Sequence, residues 1–151
     1  MLALGAIAAA IALASSSSSS SRKTVVGTAR SKTLHETILV NSRGRSLYAL
    51  SVERHGRFIC TNMACLSFWK PLTVPKGVKP AGASGLGTVK RPDGKIQVAY
   101  RGAPLYTFYL DRKRGDVKGN GFKDVGTWHA VAVSKSHKSA AVTPAPRSYG
   151  Y

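Results

Sequence analysis

The sequence predicts an all-β fold, a single small domain built from two similar repeats that each contain a β-hairpin, with disordered basic termini. The first observation is an internal repeat. Residues 40–53 align with 98–111 at a constant offset of 58, and residues 69–74 align with 128–133 at an offset of 59. The second is a series of short strand-like segments between turn signals, without a helical period. A repeat of this size buries its apolar face against its copy, so we expect pseudo-two-fold packing.

The first repeat spans about residues 37–75. Strands are expected at 37–40 and 46–50, on either side of a turn in which Gly44 can adopt a positive φ. After the cysteine pair, residues 64–68 are expected to form one helical turn. Three prolines, Pro71, Pro75 and Pro80, make the stretch that follows irregular.

The second repeat spans about residues 95–133 and is preceded by a strand at 86–90. The sequence Arg-Pro-Asp-Gly at 91–94 predicts a tight turn into a strand at 95–100, whose alternating apolar residues indicate one buried face. Strands follow at 105–110 and 128–133. The expected core of both repeats comprises Leu47, Leu50, Leu105, Phe108, Trp69 and Trp128.

The termini differ in composition from the domain. Residues 1–14 are uncharged and apolar and resemble a signal-peptide core, since a bilayer span needs roughly 20 residues. Ala12 and Ala14 supply a small-x-small cleavage pattern, although no basic residue precedes the apolar run. Residues 15–33 are expected to be a Ser-rich basic linker and 134–151 a disordered tail, which leaves the domain at 34–133. We expect an exported chain, secreted or associated with the cell envelope.

The net charge of +17 indicates which partners the protein attracts and says nothing about its fold. Residues 34–133 carry sixteen Lys and Arg and all six acids, a net charge of +10. This predicts association with an anionic envelope polymer or membrane surface; the alternative is a basic surface that is only solvated. The densest basic patch comprises Arg112, Lys113, Arg114, Lys118 and Lys123. A looser group comprises Lys70, Lys76, Lys79, Lys90, Arg91 and Lys95. No nucleic-acid-binding motif is present, and the oligomeric state stays open.

The two cysteines, Cys60 and Cys65, are close together in a chain that is expected to be exported, which favours a disulfide. In reduced form they would join His55 and Met63 as soft ligands suited to Cu(I). An extracytoplasmic copper-binding or redox protein is therefore the alternative function. The first interpretation requires no metal and no cofactor.

No catalytic constellation is evident in the sequence. There is neither a nucleophile elbow nor a pair of carboxylates, and His35, His55, His129 and His137 are scattered. We therefore expect a protein that is not an enzyme. An enzyme would need a pocket where Tyr106, Asp111 and a histidine converge.

Several short motifs give the chain a family resemblance. Residues 106–111 form a Tyr-x-aromatic-x-x-Asp motif through Tyr106, Phe108 and Asp111, and the first copy retains Tyr48 but ends in Glu53. The cysteine pair is followed by Trp69, and Trp128 is its counterpart in the second copy. Over about residues 35–133 the chain resembles a bacterial family of predicted lipoproteins known as the secreted repeat of unknown function.

The resemblance implies an exported repeat domain and transfers no mechanism, because the family has no established activity. Its members often carry a lipid-modified cysteine directly after the signal peptide. The first cysteine here is Cys60, so we expect the chain to be released or held by charge. On a strand, residues five apart face opposite sides, so Tyr106 is expected to pack and Asp111 to cap the turn before Arg112 rather than to pair.

Overall fold

The computed structural model describes residues 21–133, which form mostly β-structure with one short helix. The predicted signal segment, residues 15–20 of the linker and the C-terminal tail lie outside the described residues. The elements are β1 (Arg22–Thr24), β2 (Val26–Arg30), β3 (Thr37–Asn41), β4 (Tyr48–Leu50), α1 (Met63–Phe68), β5 (Trp69–Pro71), β6 (Thr73–Val74), β7 (Lys79–Ala81), β8 (Leu86–Lys90), β9 (Ile96–Tyr100), β10 (Ala103–Pro104), β11 (Tyr106–Phe108) and β12 (Trp128–Ala130). Within 21–133, no helix has the length and apolar character needed to cross a membrane.

The predicted hairpin that leads into the second repeat is present. Strands β8 and β9 pair antiparallel from Leu86 opposite Tyr100 to Lys90 opposite Ile96. The turn between them closes with the Gly94 amide donating to the Arg91 carbonyl at 3.0 Å, and Gly94 has a φ of 81°. Strand β9 also pairs with β10 and β6 to complete a four-stranded sheet.

A second four-stranded sheet, in the order β12-β4-β11-β5, places the motif strands of the two repeats side by side. Tyr106 of β11 lies opposite Tyr48 of β4 in an antiparallel pair. In both strands the first and third residues are buried and the middle residue is half-buried. The period-2 pattern therefore directs both tyrosines into the interior.

Two expectations for the N-terminal part of the chain are wrong. Residues 22–30, expected in a linker, contain β1 and β2, and β2 pairs with β3 along its whole length. The reason is that Val25, Val26 and Ala29 are buried, so a few apolar residues suffice to anchor a largely polar segment.

The prediction of a hairpin between residues 37–40 and 46–50 is also wrong, because the two strands do not pair beyond the turn. One isolated bridge joins Val40 and Ser46, after which β3 pairs with β2 and β4 pairs with β11 and β12. Three consecutive residues of β3 are buried, whereas β4 alternates. A strand buried on both faces and a strand with alternating burial take up different sheet environments, so the two separate after the turn.

The core contains all six residues predicted for it, each with no more than 7 % of its surface exposed. The two repeat tryptophans, Trp69 and Trp128, stack with ring centroids 3.8 Å apart and planes inclined by 8°. Gly119 lies against this stack, and a Cβ atom there would come within 2.6 Å of the Trp69 ring. The close approach of the 111–124 loop to the tryptophans therefore requires glycine at this position.

Candidate functional site

Two buried tyrosine–carboxylate pairs connect the repeats. The Tyr48 hydroxyl donates to Asp111 Oδ2 at 2.7 Å, and the Tyr106 hydroxyl donates to Glu53 Oε2 at 2.8 Å. All four side chains are fully buried. Each tyrosine therefore binds the carboxylate that ends the motif of the other repeat, and no hydrogen bond joins Tyr106 to Asp111 within one copy.

Asp111 does not cap the turn that was expected for it. Its Oδ1 accepts from the Lys118 amide at 3.0 Å, whereas Asp116 Oδ2 accepts from the Arg112 and Lys113 amides, both at 2.9 Å. We call residues 112–118 the basic loop. Asp111 binds the end of this loop, and Asp116 binds its beginning. The buried pair and the surface loop are parts of one hydrogen-bonded unit.

Glu53 organises the segment that leads to the disulfide. Its Oε1 accepts from the Ile59 amide at 2.6 Å and from the Cys60 amide at 2.7 Å. Cys60 and Cys65 form a disulfide, as predicted, and α1 begins within that loop. The Asn62 side chain caps the helix by accepting from the Cys65 amide at 2.9 Å. The predicted helical turn is confirmed.

Arg91 is the buried cation of this network, although the sequence placed it in a loose basic surface group. Its Nη1 donates to Gln97 Oε1 at 2.6 Å and to the Tyr106 hydroxyl at 3.1 Å, and its Nη2 donates to the Cys60 carbonyl at 2.9 Å. The guanidinium lies 5.0 Å from the centre of the Phe58 ring. Arg91 Nε also lies 3.7 Å from Asp93 Oδ1, and the Tyr106 hydroxyl stands between the guanidinium and Glu53.

The two pairs differ in their electrostatics. Among residues 21–133 no Lys or Arg forms an ion pair with Asp111, and burial raises the pKa of its carboxyl. Burial, followed by the hydrogen bond to Asp111, raises the pKa of Tyr48 far above its ordinary value. Burial, followed by the charge of Glu53, likewise raises the pKa of Tyr106. Both tyrosines therefore remain protonated donors at neutral pH.

The raised pKa of Asp111 predicts a pH dependence of stability. Between the pKa of Asp111 in the unfolded chain and its pKa in the folded protein, the folded protein binds more protons than the unfolded chain. The contribution of Asp111 to the free energy of unfolding is therefore fully present below the unfolded pKa and is lost as the pH rises through the folded pKa. The stability advantage of wild type over Asp111→Asn is expected to be largest at acidic pH and to shrink toward neutrality. Urea unfolding of both proteins across this range measures it, and an advantage that grows with pH would contradict the assignment.

The residues of the copper hypothesis do not form a thiolate site when the two cysteines are oxidised. In the disulfide, Cys60 and Cys65 carry no thiolate for Cu(I). Met63 is 88 % exposed on α1, and the His55 backbone is held by Gly102 through a hydrogen bond of 2.8 Å. No group of three or more His, Cys, Asp or Glu in residues 21–133 is arranged to hold a metal ion. The copper hypothesis therefore concerns only the reduced protein.

The basic patch lies on the loop that follows β11, and all five of its side chains are exposed. Arg114 Nη2 also donates to the Thr28 carbonyl at 2.7 Å, which ties the loop to β2. Of the 20 Lys and Arg in residues 21–133 only Arg91 is buried, whereas two of the six acids, Glu53 and Asp111, are buried. Burial of these carboxylates makes the surface more positive than the composition indicates.

An apolar cleft of about 310 Å³ lies over the disulfide, and no pattern in the sequence predicts it. Trp69 lies in its wall together with the two cysteines, and Phe68, Phe122 and Val125 surround its mouth. The cleft forms because α1 and the 119–126 loop approach the same tryptophan from different parts of the chain. Such long-range contacts leave no periodic pattern in the sequence.

The fold and these contacts define a small disulfide-containing β domain in which the motif strands of two repeats exchange tyrosine–carboxylate hydrogen bonds. Residues 87–132 match the family described as "secreted repeat of unknown function", which confirms the predicted resemblance over this range. The description of the family as secreted supports an extracytoplasmic location. No curated protein and no solved structure matches the chain.

Proposed function

We propose that this protein is an exported, non-enzymatic repeat domain that associates with anionic polymers of the cell envelope. The observation that carries the proposal is the asymmetry of the surface. Nineteen Lys and Arg side chains of residues 21–133 reach solvent against four acids. A surface of this kind attracts polyanions over distances of about a Debye length, roughly 8–10 Å at physiological salt.

The basic loop is held in place for such a role. Asp116 binds its first two amides, and Asp111 with Tyr48 binds its far end through Lys118 and Gly119. A fixed loop loses less conformational entropy on binding than a mobile one. The buried pair therefore contributes to binding by positioning cations at the surface.

We further propose that the two repeats pack with pseudo-two-fold symmetry, which makes the domain a rigid scaffold. Several contacts occur in equivalent versions. The Tyr48 ring packs edge-on against Trp69 with ring centroids 5.3 Å apart, and the Tyr106 ring packs edge-on against Trp128 with centroids 5.1 Å apart. The exchanged hydrogen bonds to Asp111 and Glu53 are a second equivalent set.

A non-enzymatic role agrees with the chemistry of the motif residues. Tyr48, Tyr106, Glu53 and Asp111 are fully buried, and their polar atoms bind one another and the backbone. A catalytic acid or base must reach a substrate, which these closed pairs do not. We therefore assign them to stability and to positioning of the loop.

Binding to inorganic polyphosphate at increasing sodium chloride tests the proposal. Affinity is expected to fall steadily with salt because bound cations release counterions. The variant Lys113→Gln/Lys118→Gln/Lys123→Gln is expected to bind on the order of tenfold more weakly at low salt, with a salt slope smaller by about 2. The variant Lys76→Gln/Lys79→Gln/Lys90→Gln loses the same charge and controls for net charge alone. Absent binding at low salt, or binding indifferent to salt, would refute the proposal.

A further inference from the structure

The exposed apolar side chains of the domain are concentrated around one feature. Seven large apolar side chains in residues 21–133 are exposed, and we call them the apolar face: Val52, Met63, Phe68, Tyr109, Leu110, Phe122 and Val125. Three of them, Phe68, Phe122 and Val125, line the cleft over the disulfide. An exposed group of this kind marks an interaction surface, since single scattered apolar residues are the usual case.

The remaining members adjoin the cleft. The Tyr109 ring lies 5.0 Å from the Phe68 ring, and Leu110 follows it in sequence. Met63 begins the helix that ends at Phe68. Val52 lies beside the loop of Val125, since its Cγ2 is 3.0 Å from the position that a Cβ on Gly126 would occupy. The seven side chains thus lie on α1, on the residues that directly follow β4 and β11, and on the 122–125 loop.

Cations border the apolar face on the same segments. Lys123 follows Phe122, Arg112 and Lys113 lie two and three residues after Leu110, and Lys70 lies two residues after Phe68. All four are exposed, and the Lys70 ammonium donates to the Leu66 carbonyl of α1. The acid among them, Asp124, accepts hydrogen bonds from the Trp128 indole and the Gly126 amide, both at 3.3 Å. The surface therefore presents apolar groups and positive charge together.

We propose that this face docks on a lipid bilayer that carries anionic headgroups, with the apolar side chains entering the interface and the cations contacting the headgroups. A polymer of phosphates or carboxylates would use the cations and leave the apolar groups in water. A second copy of the chain would bring like charge against like charge. A bilayer interface accepts both groups, since aromatic rings favour the headgroup level and anionic lipids attract Lys and Arg.

The proposal rests on the basic surface that carries the proposed function and adds an anionic bilayer as a partner of the apolar face. Vesicles of phosphatidylcholine and phosphatidylglycerol in equal amounts are compared with phosphatidylcholine alone. Sedimentation is expected to show binding to the mixed vesicles only. The variant Met63→Ser/Val125→Ser is expected to lose about tenfold or more in vesicle affinity while its affinity for polyphosphate is unchanged. Both residues are largely exposed, so this variant keeps the core intact.

Insertion is measured with Val125→Trp and vesicles whose acyl chains are brominated. Bromine quenches a tryptophan that enters the bilayer, so Val125→Trp is expected to be quenched more than wild type. Thr88→Trp, at an exposed position of β8, is the matched control and is expected to behave like wild type. Binding to polyphosphate and vesicles without quenching of Val125→Trp would overturn the docking proposal and leave the proposed function standing. Binding to neither would overturn both.

Discussion

Replacing Glu53 by glutamine is expected to lower the free energy of unfolding by about 2–3 kcal/mol, because it removes a buried charged acceptor of hydrogen bonds. Two backbone amides and the Tyr106 hydroxyl donate to this carboxylate. Glutamine keeps the shape of the side chain but turns one acceptor into an amide that needs an acceptor itself. Arg91 would keep its contact with Asp93 but lose the carboxylate that binds the Tyr106 hydroxyl from the other side.

Asp111→Asn is the matched control for this prediction, because it removes the charge of the other exchanged pair. The asparagine oxygen can accept from the Lys118 amide, and its nitrogen can donate to the Tyr48 oxygen. No buried cation is left behind, so we expect a loss near 1 kcal/mol. Urea unfolding at neutral pH measures both variants. Equal losses in the free energy of unfolding would show that the buried Arg91 does not require the charge of Glu53.

The general fold could be predicted from the sequence because its signals are local. The strand pattern identified β9, although its predicted single buried face is wrong because Gln97, Val98 and Ala99 are all buried. The Arg-Pro-Asp-Gly turn identified the hairpin with β8, and the spacing of the two cysteines in a chain expected to be exported identified the disulfide. Each of these signals arises within about ten residues of the element it predicts. The internal repeat added the equivalence of Trp69 and Trp128.

The exchanged pairs could not be predicted in this way, because their partners are far apart in the chain. Residues five apart on a strand face opposite sides, so no pair was expected within one copy, but β11 ends at Phe108 and Asp111 lies beyond it. The missing step is the antiparallel register of β4 and β11, which sets Tyr48 opposite Tyr106 and brings each tyrosine to the carboxylate of the other copy. Two copies of one motif supply the residue types, but only tertiary structure supplies the register.

Arg91 was misplaced for a related reason. Its turn was predicted correctly, yet a turn sequence does not reveal which side chain points inward. Gln97, Tyr106 and the Cys60 carbonyl accept hydrogen bonds from its two Nη atoms, and Nε lies 3.7 Å from Asp93 Oδ1 without a hydrogen bond. These partners come from both repeats, and a buried Arg is uncommon unless it is paired in this manner.

Replacing Trp128 by alanine is expected to cost about 3–5 kcal/mol, since it leaves a cavity beside Trp69 at the centre of the core. This prediction also tests whether the two repeats depend on each other. Trp69→Phe, Trp128→Phe and the double variant form a cycle, and direct stacking predicts a coupling of about 0.5–1.5 kcal/mol beyond the sum of single losses. Urea unfolding of the four proteins measures it.

The same cycle has a matched control in Trp69→Phe combined with Leu105→Val, because Leu105 belongs to the other core cluster. Residues without a shared contact are expected to give additive losses, within about 0.5 kcal/mol. Coupling between the tryptophans together with additivity in the control would show that the two repeats stabilise each other at this stack. Additive losses in both cycles would instead mean that each repeat holds its tryptophan independently, and the repeats would then be joined by their shared sheet and the exchanged hydrogen bonds.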